Sequence, residues 1–155
     1  MPSENLENLV TIGELERHNA TARETAELLG LADQKLADCS AAGLSADSTV
    51  SVAHFAVIAC ARAALAACGY RASSRSHHET SIQSLQFTIG ASQSQLSFFI
   101  AMMRKRHVGS YSRAGEVAEP EAVEMVRRTR ELRQMVEDWL RANYPDLLPN
   151  KEPPQ

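Results

Sequence analysis

The chain contains 155 residues, of which 44% are hydrophobic and 23% are charged, and its formal net charge is −3. This length suits one domain of about 100–200 residues with a buried core and leaves no room for a second full domain. The balance of hydrophobic and charged residues excludes a disordered, collagen-like or low-complexity chain.

Helical patterns recur along most of the chain and predict an all-α fold, a bundle of five to six helices. Capping-box patterns, in which Ser or Thr stands three residues before Glu or Gln, predict helix starts at four positions: Thr11, Thr21, Ser76 and Ser92. Apolar residues at helical spacing predict helices over about 21–41, 48–68, 77–89, 93–107 and 120–143. No strand is predicted.

Glycines follow several of these runs and are expected in the left-handed conformation after a helix, at Gly43, Gly69, Gly90 and Gly109. Residues 1–144 are interpreted as one helical domain. Residues 145–155 contain four prolines, so this tail is expected to fray or remain extended.

The segment 48–68 is rich in alanine and apolar on nearly all sides, which predicts the central and most buried helix. Its length also raises the possibility of a membrane span. Because Arg62 and His54 interrupt the apolar run, a buried core helix is favoured, and no membrane contact is predicted. His54 is expected to be a hydrogen-bonded core histidine.

Three cysteines are present, and none forms a Cys-x-x-Cys pair. Cys60 and Cys68 would lie about 12 Å apart on one helix, which is too far for a disulfide. No His-x-x-x-His or Glu-x-x-His pair is found, so neither a metal site nor a cofactor is predicted. Reduced cysteines and the lack of a signal-peptide pattern predict a cytoplasmic location.

Positive charge is concentrated in the middle of the chain. Residues 48–115 contain seven Arg or Lys residues and one acid, Glu79. The most informative stretch is 104–113, where cations, a histidine and hydroxyls share a helix end and the following loop. Such groups suit RNA or a nucleotide phosphate. The alternative is that the cations only complement the negative end of the helix and stay solvated.

Three features give the chain a resemblance to the HEPN family of helical domains, over roughly residues 6–140. They are the alanine-rich helix that ends in Gly69-Tyr70-Arg71, the pair His77-His78 that opens the next helix, and Arg-Lys-Arg-His-x-x-x-Tyr at 104–111. The resemblance implies a homodimer that binds RNA or a nucleotide, in a toxin–antitoxin or defence context.

Many HEPN proteins cleave RNA without a metal, through an arginine, a polar residue and then a histidine. The matching arginine here is Arg106, but Tyr111 stands where the histidine is expected. His107 is the hypothetical substitute acid or base, since the unperturbed pKa of histidine is about 6.5. Tyr111 is interpreted as an orienting or stacking group.

Binding of RNA or a nucleotide is therefore the leading hypothesis. An alternative is a non-catalytic module that pairs with a protein such as a nucleotidyltransferase. A small-molecule site between helices is a third possibility. The candidate catalytic residues are Arg106, His107 and Tyr111, and the candidate phosphate-binding residues are Arg104, Lys105, Arg106, Arg113, Arg71, Arg75, His77 and His78. For the two histidines, exposed residues of a helix first turn are the alternative.

Overall fold

The computed structural model describes residues 3–109 and 117–148, with side chains described over 4–105 and 117–148. Within these ranges six α-helices form a bundle, which confirms the predicted all-α class. In chain order the elements are α1 (Ser3–Thr11), β1 (Leu15–Arg17), α2 (Ala22–Asp38), α3 (Ala46–Ala67), β2 (Tyr70–Ala72), α4 (His78–Thr88), α5 (Gln93–Gly109), α6 (Glu119–Asn143) and a 3-10 turn (Pro145–Leu147).

Helix α3 is the centre of the bundle, as predicted. It packs against α2, α4, α5 and α6, and fifteen of its side chains are buried, nine of them alanines. Small side chains let neighbouring helices approach closely, so one helix can be covered on most of its sides. His54 is 1% exposed and its Nε2 lies 3.0 Å from Nδ1 of His78, which confirms a hydrogen-bonded core histidine.

By length and composition, α3 is also the one helix of the described ranges that is long and apolar enough to cross a membrane. In the structure, 78% of its most apolar window is buried by the rest of the chain. A core helix of a bundle has this property.

A small antiparallel sheet corrects the prediction that the chain has no strand. Strands β1 and β2 pair Leu15 with Ala72, Glu16 with Arg71 and Arg17 with Tyr70. Each strand has three residues and its partner is far away in the sequence, so periodicity alone gives no signal. Leu15 and Tyr70 are buried and form a second apolar cluster with Leu6 and Leu65.

Two of the four predicted capping positions are confirmed. The hydroxyls of Thr21 and Ser92 accept hydrogen bonds from the N–H groups of Glu24 and Gln95, both at 3.1 Å. The other two predictions are wrong. Thr11 is the last residue of α1, and α4 begins at His78, with His77 rather than Ser76 at the N-cap.

The helix ends agree in part with the predicted glycines. Gly69 and Gly90 follow α3 and α4 with φ of +94° and +74°, as expected for residues that end a helix. Gly43 has φ of +85° but lies in the loop beyond α2. The expectation that the tail frays is wrong for its first residues, because Pro145–Leu147 forms a 3-10 turn and Leu147 and Leu148 pack against the core.

Two glycines provide a matched test of the backbone. Gly30 lies inside α2, and a Cβ built there meets no atom within 4 Å. Gly30→Ala is therefore expected to raise the free energy of unfolding by about 0.5–1 kcal/mol, since glycine weakens a helix interior. A Cβ added at Gly43 also meets no atom within 4 Å, but Gly43 has a positive φ, which is strained for alanine. Gly43→Ala should therefore lower the free energy of unfolding by about 1–2 kcal/mol. Urea unfolding followed by circular dichroism measures the free energy of unfolding of both variants. Changes of the same sign would contradict the helical conformation of Gly30 or the left-handed conformation of Gly43.

Candidate functional site

A polar cleft of about 470 Å³ opens between α2, α3 and the segment that joins β2 to α4. Its apolar lining consists of Leu28, Ala66 and Ala72, and the rest of its lining is polar or charged. We call this site the polar cleft, and its lining residues are Glu24, Leu28, Arg62, Ala66, Arg71, Ala72, Ser73, Ser74, Ser76, His77, His78 and Ser81.

Arg62 is one of the two arginines that line the polar cleft. It is exposed although both neighbours, Ala61 and Ala63, are 0% exposed. Among the described residues, no carboxylate oxygen lies within 4.0 Å of the guanidinium of Arg62, so Arg62 forms no ion pair with them. A guanidinium presents five N–H donors in a planar fork, so this side chain is available to an anion in the cleft.

The serine segment 73–76 is held in place by the N-terminal part of the chain. The hydroxyl of Ser73 donates to the Gly13 carbonyl at 2.6 Å, and the N–H of Ser73 donates to the Glu14 carbonyl at 3.0 Å. The N–H of Ser76 donates to the Ser73 carbonyl at 3.0 Å and closes a turn. The exposed Ser74 and half-buried Ser76 thus stand on a fixed backbone at the edge of the cleft.

The first turn of α4 forms one end of the polar cleft. His77, the N-cap residue, makes no side-chain capping bond, in contrast to Thr21 of α2 and Ser45 of α3. The N–H groups at a helix start carry partial positive charge and favour an anion nearby. His77 is exposed, whereas His78 is half-buried and hydrogen-bonded to His54, which fixes this turn on α3.

Glu24 brings one negative charge into the polar cleft. Both of its carboxylate oxygens lie 2.7 Å from Nε2 of His18, and the two side chains are partly buried. Because this carboxylate lines the same cavity as Arg62, the cleft is not uniformly positive. An anion in the cleft must gain more from Arg62 and the hydrogen-bond donors than it loses to this carboxylate.

The predicted basic stretch 104–113 is only partly described. Arg104 pairs with Glu79 at 2.9 Å, and Lys105 pairs with Glu121. The hydrogen bond from Lys105, followed by one from the Ala118 N–H, lowers the pKa of Glu121. The remaining predicted side chains lie outside the described residues, namely Arg106, His107, Tyr111 and Arg113.

Arg104 nevertheless lies close to the polar cleft, because Glu79 is the second residue of α4 and directly follows His78. Of the second predicted group, Arg71, His77 and His78 line the cleft together. Arg71 is paired with Glu16 at 3.0 Å across the sheet. Arg75 is exposed and is not a lining residue.

Sequence reasoning missed part of this site, above all Arg62, Ser73 and Ser74. One signal was present, since Arg62 is the only Arg, Lys, Asp or Glu between residues 50 and 68. A charge kept on a helix that is otherwise buried has to reach solvent or a partner. The serines gave no signal, because their position in the cleft depends on contacts with Gly13 and Glu14.

Among the side chains of 4–105 and 117–148, no group of three or more His, Cys, Asp or Glu residues is arranged to hold a metal ion. Comparison of the chain with protein family models, curated proteins and solved structures finds no match.

Tyr70 anchors the strand that leads into the polar cleft. It is 6% exposed, and its hydroxyl donates to Oε1 of Glu7 at 2.7 Å. Burial first, and the hydrogen bond to Glu7 second, raise the pKa of Tyr70 from 10.0 to about 12. The neutral phenol is therefore the form that the fold favours.

This raised pKa predicts a loss of stability at alkaline pH. The contribution of Tyr70 is fully present below the unfolded pKa of 10.0 and disappears as the pH rises through the folded pKa of about 12. The free energy of unfolding of the wild type should fall more steeply between these two pH values than that of Tyr70→Phe, which has no phenol to ionise. Urea unfolding at a series of pH values tests this expectation. Equal slopes for the two proteins would contradict it.

Proposed function

We propose that the protein is HEPN-like and binds a phosphate-bearing ligand, RNA or a nucleotide, in the polar cleft. The observation that carries the proposal is Arg62, an exposed guanidinium in a cavity with no ion-pair partner among the described carboxylates. Phosphate groups suit this residue type because two of their oxygens accept parallel N–H bonds from one guanidinium.

Three kinds of donor converge on the same space. The guanidinium of Arg62 comes from α3, the hydroxyls of Ser74 and Ser76 come from the turn before α4, and the first turn of α4 adds the positive end of its dipole. These groups belong to a helix, to a turn held by backbone hydrogen bonds and to the first turn of a second helix. A ligand that binds them therefore does not have to order a flexible loop.

Arg104 of α5 is a further cation near the first turn of α4, because it pairs with Glu79. Arg104 is 71% exposed in its pair with Glu79, and an exposed ion pair is worth about 0–1 kcal/mol. Release of Arg104 from this pair therefore costs little, which leaves its guanidinium available to a phosphate. Arg104 thus supports binding as a further cation near the start of α4, while the side chains of 106–113 lie outside the described residues.

Binding is proposed rather than cleavage. The ribonuclease hypothesis depends on Arg106 and His107, whose side chains lie outside the described residues. If cleavage takes place, Arg106 stabilises the negatively charged transition state and His107 moves the proton. The alternative, a module that pairs with a protein such as a nucleotidyltransferase, needs no phosphate affinity at all.

Arg62→Gln tests the proposal. The variant is expected to bind AMP and a short single-stranded RNA about tenfold more weakly or worse, since it loses a charge-assisted hydrogen bond. Arg130→Gln is the matched control, because Arg130 is an exposed arginine of α6 that does not line the cleft and has no carboxylate of the described residues within 4.0 Å. Calorimetry for AMP and fluorescence anisotropy for RNA provide the affinities.

Salt dependence separates phosphate binding from a protein-pairing role. Direct contacts to phosphates weaken steeply as the ionic strength rises, and the loss of Arg62 should reduce the slope for the RNA by about one phosphate contact. Wild-type affinity in Arg62→Gln, or no affinity of the wild type for either probe, would exclude the proposed function.

A further inference from the structure

An apolar groove adjoins the polar cleft along the same side of α3. It has a volume of about 220 Å³. Two of its residues are large hydrophobic side chains that remain well exposed, Leu31 at 40% and Phe55 at 41%. We call this site the ring groove, and its lining residues are Leu31, Lys35, Phe55, Ile58, Ala59, Arg62 and His78.

The ring groove and the polar cleft share two lining residues, Arg62 and His78. Phe55 and Arg62 are seven residues apart on α3, which is two helical turns and about 10.5 Å along the axis. On α2, Leu28 in the cleft and Leu31 in the groove are three residues apart, a little less than one turn. The two cavities are therefore successive parts of one furrow between α2 and α3.

The volumes indicate that these two parts serve one ligand. Small-molecule sites commonly measure about 300–1,000 Å³. The ring groove, at about 220 Å³, is too small for a site of its own, whereas the polar cleft, at about 470 Å³, is large enough. Together they form a site whose polar end is lined by cations and hydroxyls and whose apolar end is lined by the ring of Phe55.

The ring of Phe55 is oriented by its neighbours. It meets His78 edge to face, with centroids 6.3 Å apart and an interplanar angle of 82°. It also meets His54 in a similar way, at 5.8 Å and 64°. Since His54 and His78 are themselves hydrogen-bonded, Phe55 lies in a defined position beside the first turn of α4. A preorganised aromatic surface is what a ligand ring stacks on.

We infer that the ligand is a small phosphate ester that carries an aromatic ring, with its phosphate at Arg62 and its ring in the ring groove against Phe55 and Leu31. This inference rests on the proposed function, because it assigns the phosphate to the polar cleft. Lys35, at the groove, offers donors to a carbonyl or ring nitrogen of the ligand.

The charges around the furrow favour one phosphate over a polymer backbone. Arg71, the other arginine of the polar cleft, is paired with Glu16, and Arg104 is paired with Glu79 of α4. Glu24 adds a negative charge to the cleft itself. A nucleic-acid backbone binds best along a continuous track of cations, whereas this furrow has Arg62 between its two parts and Lys35 alone in the ring groove.

A comparison of AMP with ribose 5-phosphate tests the inference, because the two ligands share the phosphate and the sugar and differ in the ring. The wild type should bind AMP about tenfold more tightly or better, the effect of one ring stacked on an aromatic side chain. Phe55→Ala should remove this preference, so that AMP and ribose 5-phosphate bind with similar affinity. Phe55→Leu, which keeps apolar bulk without a ring, should retain part of the preference. Val123→Ala, an exposed apolar residue of α6 outside the furrow, is the control.

The outcomes separate the two proposals. If ribose 5-phosphate binds as tightly as AMP while Arg62→Gln weakens both, the ring groove is wrong and the phosphate site stands. If a single-stranded RNA binds and AMP does not, the small-ligand inference is overturned. If no phosphate ester binds, the proposed function itself fails. Tighter binding of phenyl phosphate than of ribose 5-phosphate would also support the ring groove. Whether AMP or phenyl phosphate binds more tightly then tells a nucleotide from another ring-bearing ester.

Discussion

The packing of four helices around the alanine-rich α3 is the constraint on which the rest of the structure depends. Small buried side chains such as Ala53, Ala56 and Ala63 allow α2, α4, α5 and α6 to approach one central helix. A helix that is covered in this way has room for a charge only where its neighbours leave a gap. Arg62 occupies such a gap, between α2 and the segment before α4, and the polar cleft forms around it.

The second constraint is the tie between the N-terminal residues and the end of α3. Pairing of β1 with β2 brings Glu16 opposite Arg71, and the backbone of residues 13 and 14 holds Ser73. The buried phenol of Tyr70 adds an anchor through Glu7. These contacts fix the serine segment, which has little apolar surface of its own. The geometry of the cleft is therefore set by residues far away in the sequence.

The sequence predicted the helices well because their signals are local. Periodicity located α2 to α6, and the hydroxyls of Thr21 and Ser92 cap helices as their patterns indicated. The two strands and the cap at His77 could not be predicted, because three-residue strands and a helix start next to a serine cluster depend on tertiary contacts. The same holds for the candidate site, where residues with a local sequence signal were predicted and those placed by tertiary contacts were not.

The histidines and Arg71 were identified as a basic group, and the structure brings them together in the polar cleft. Arg62 was noted as an interruption of an apolar helix, but the residues that surround it come from three separate parts of the chain. The binding role of these residues, and of 104–113, stays a prediction. Local patterns show where charges stand, whereas a cavity appears only when the helices pack.

The pairing of charges, rather than their number, decides what the cleft can bind. The middle of the chain is strongly basic, yet Arg71, Arg104 and Lys105 are each matched by a carboxylate from another element. In each of these pairs the carboxylate neutralises the positive charge, so little of it is left to attract an anion. Arg62 differs because no described carboxylate pairs with it and because serine hydroxyls and a helix start line the same cavity. A site of this kind selects an anion by the number and direction of its oxygens, and Glu24 at its side disfavours ligands that carry many charges.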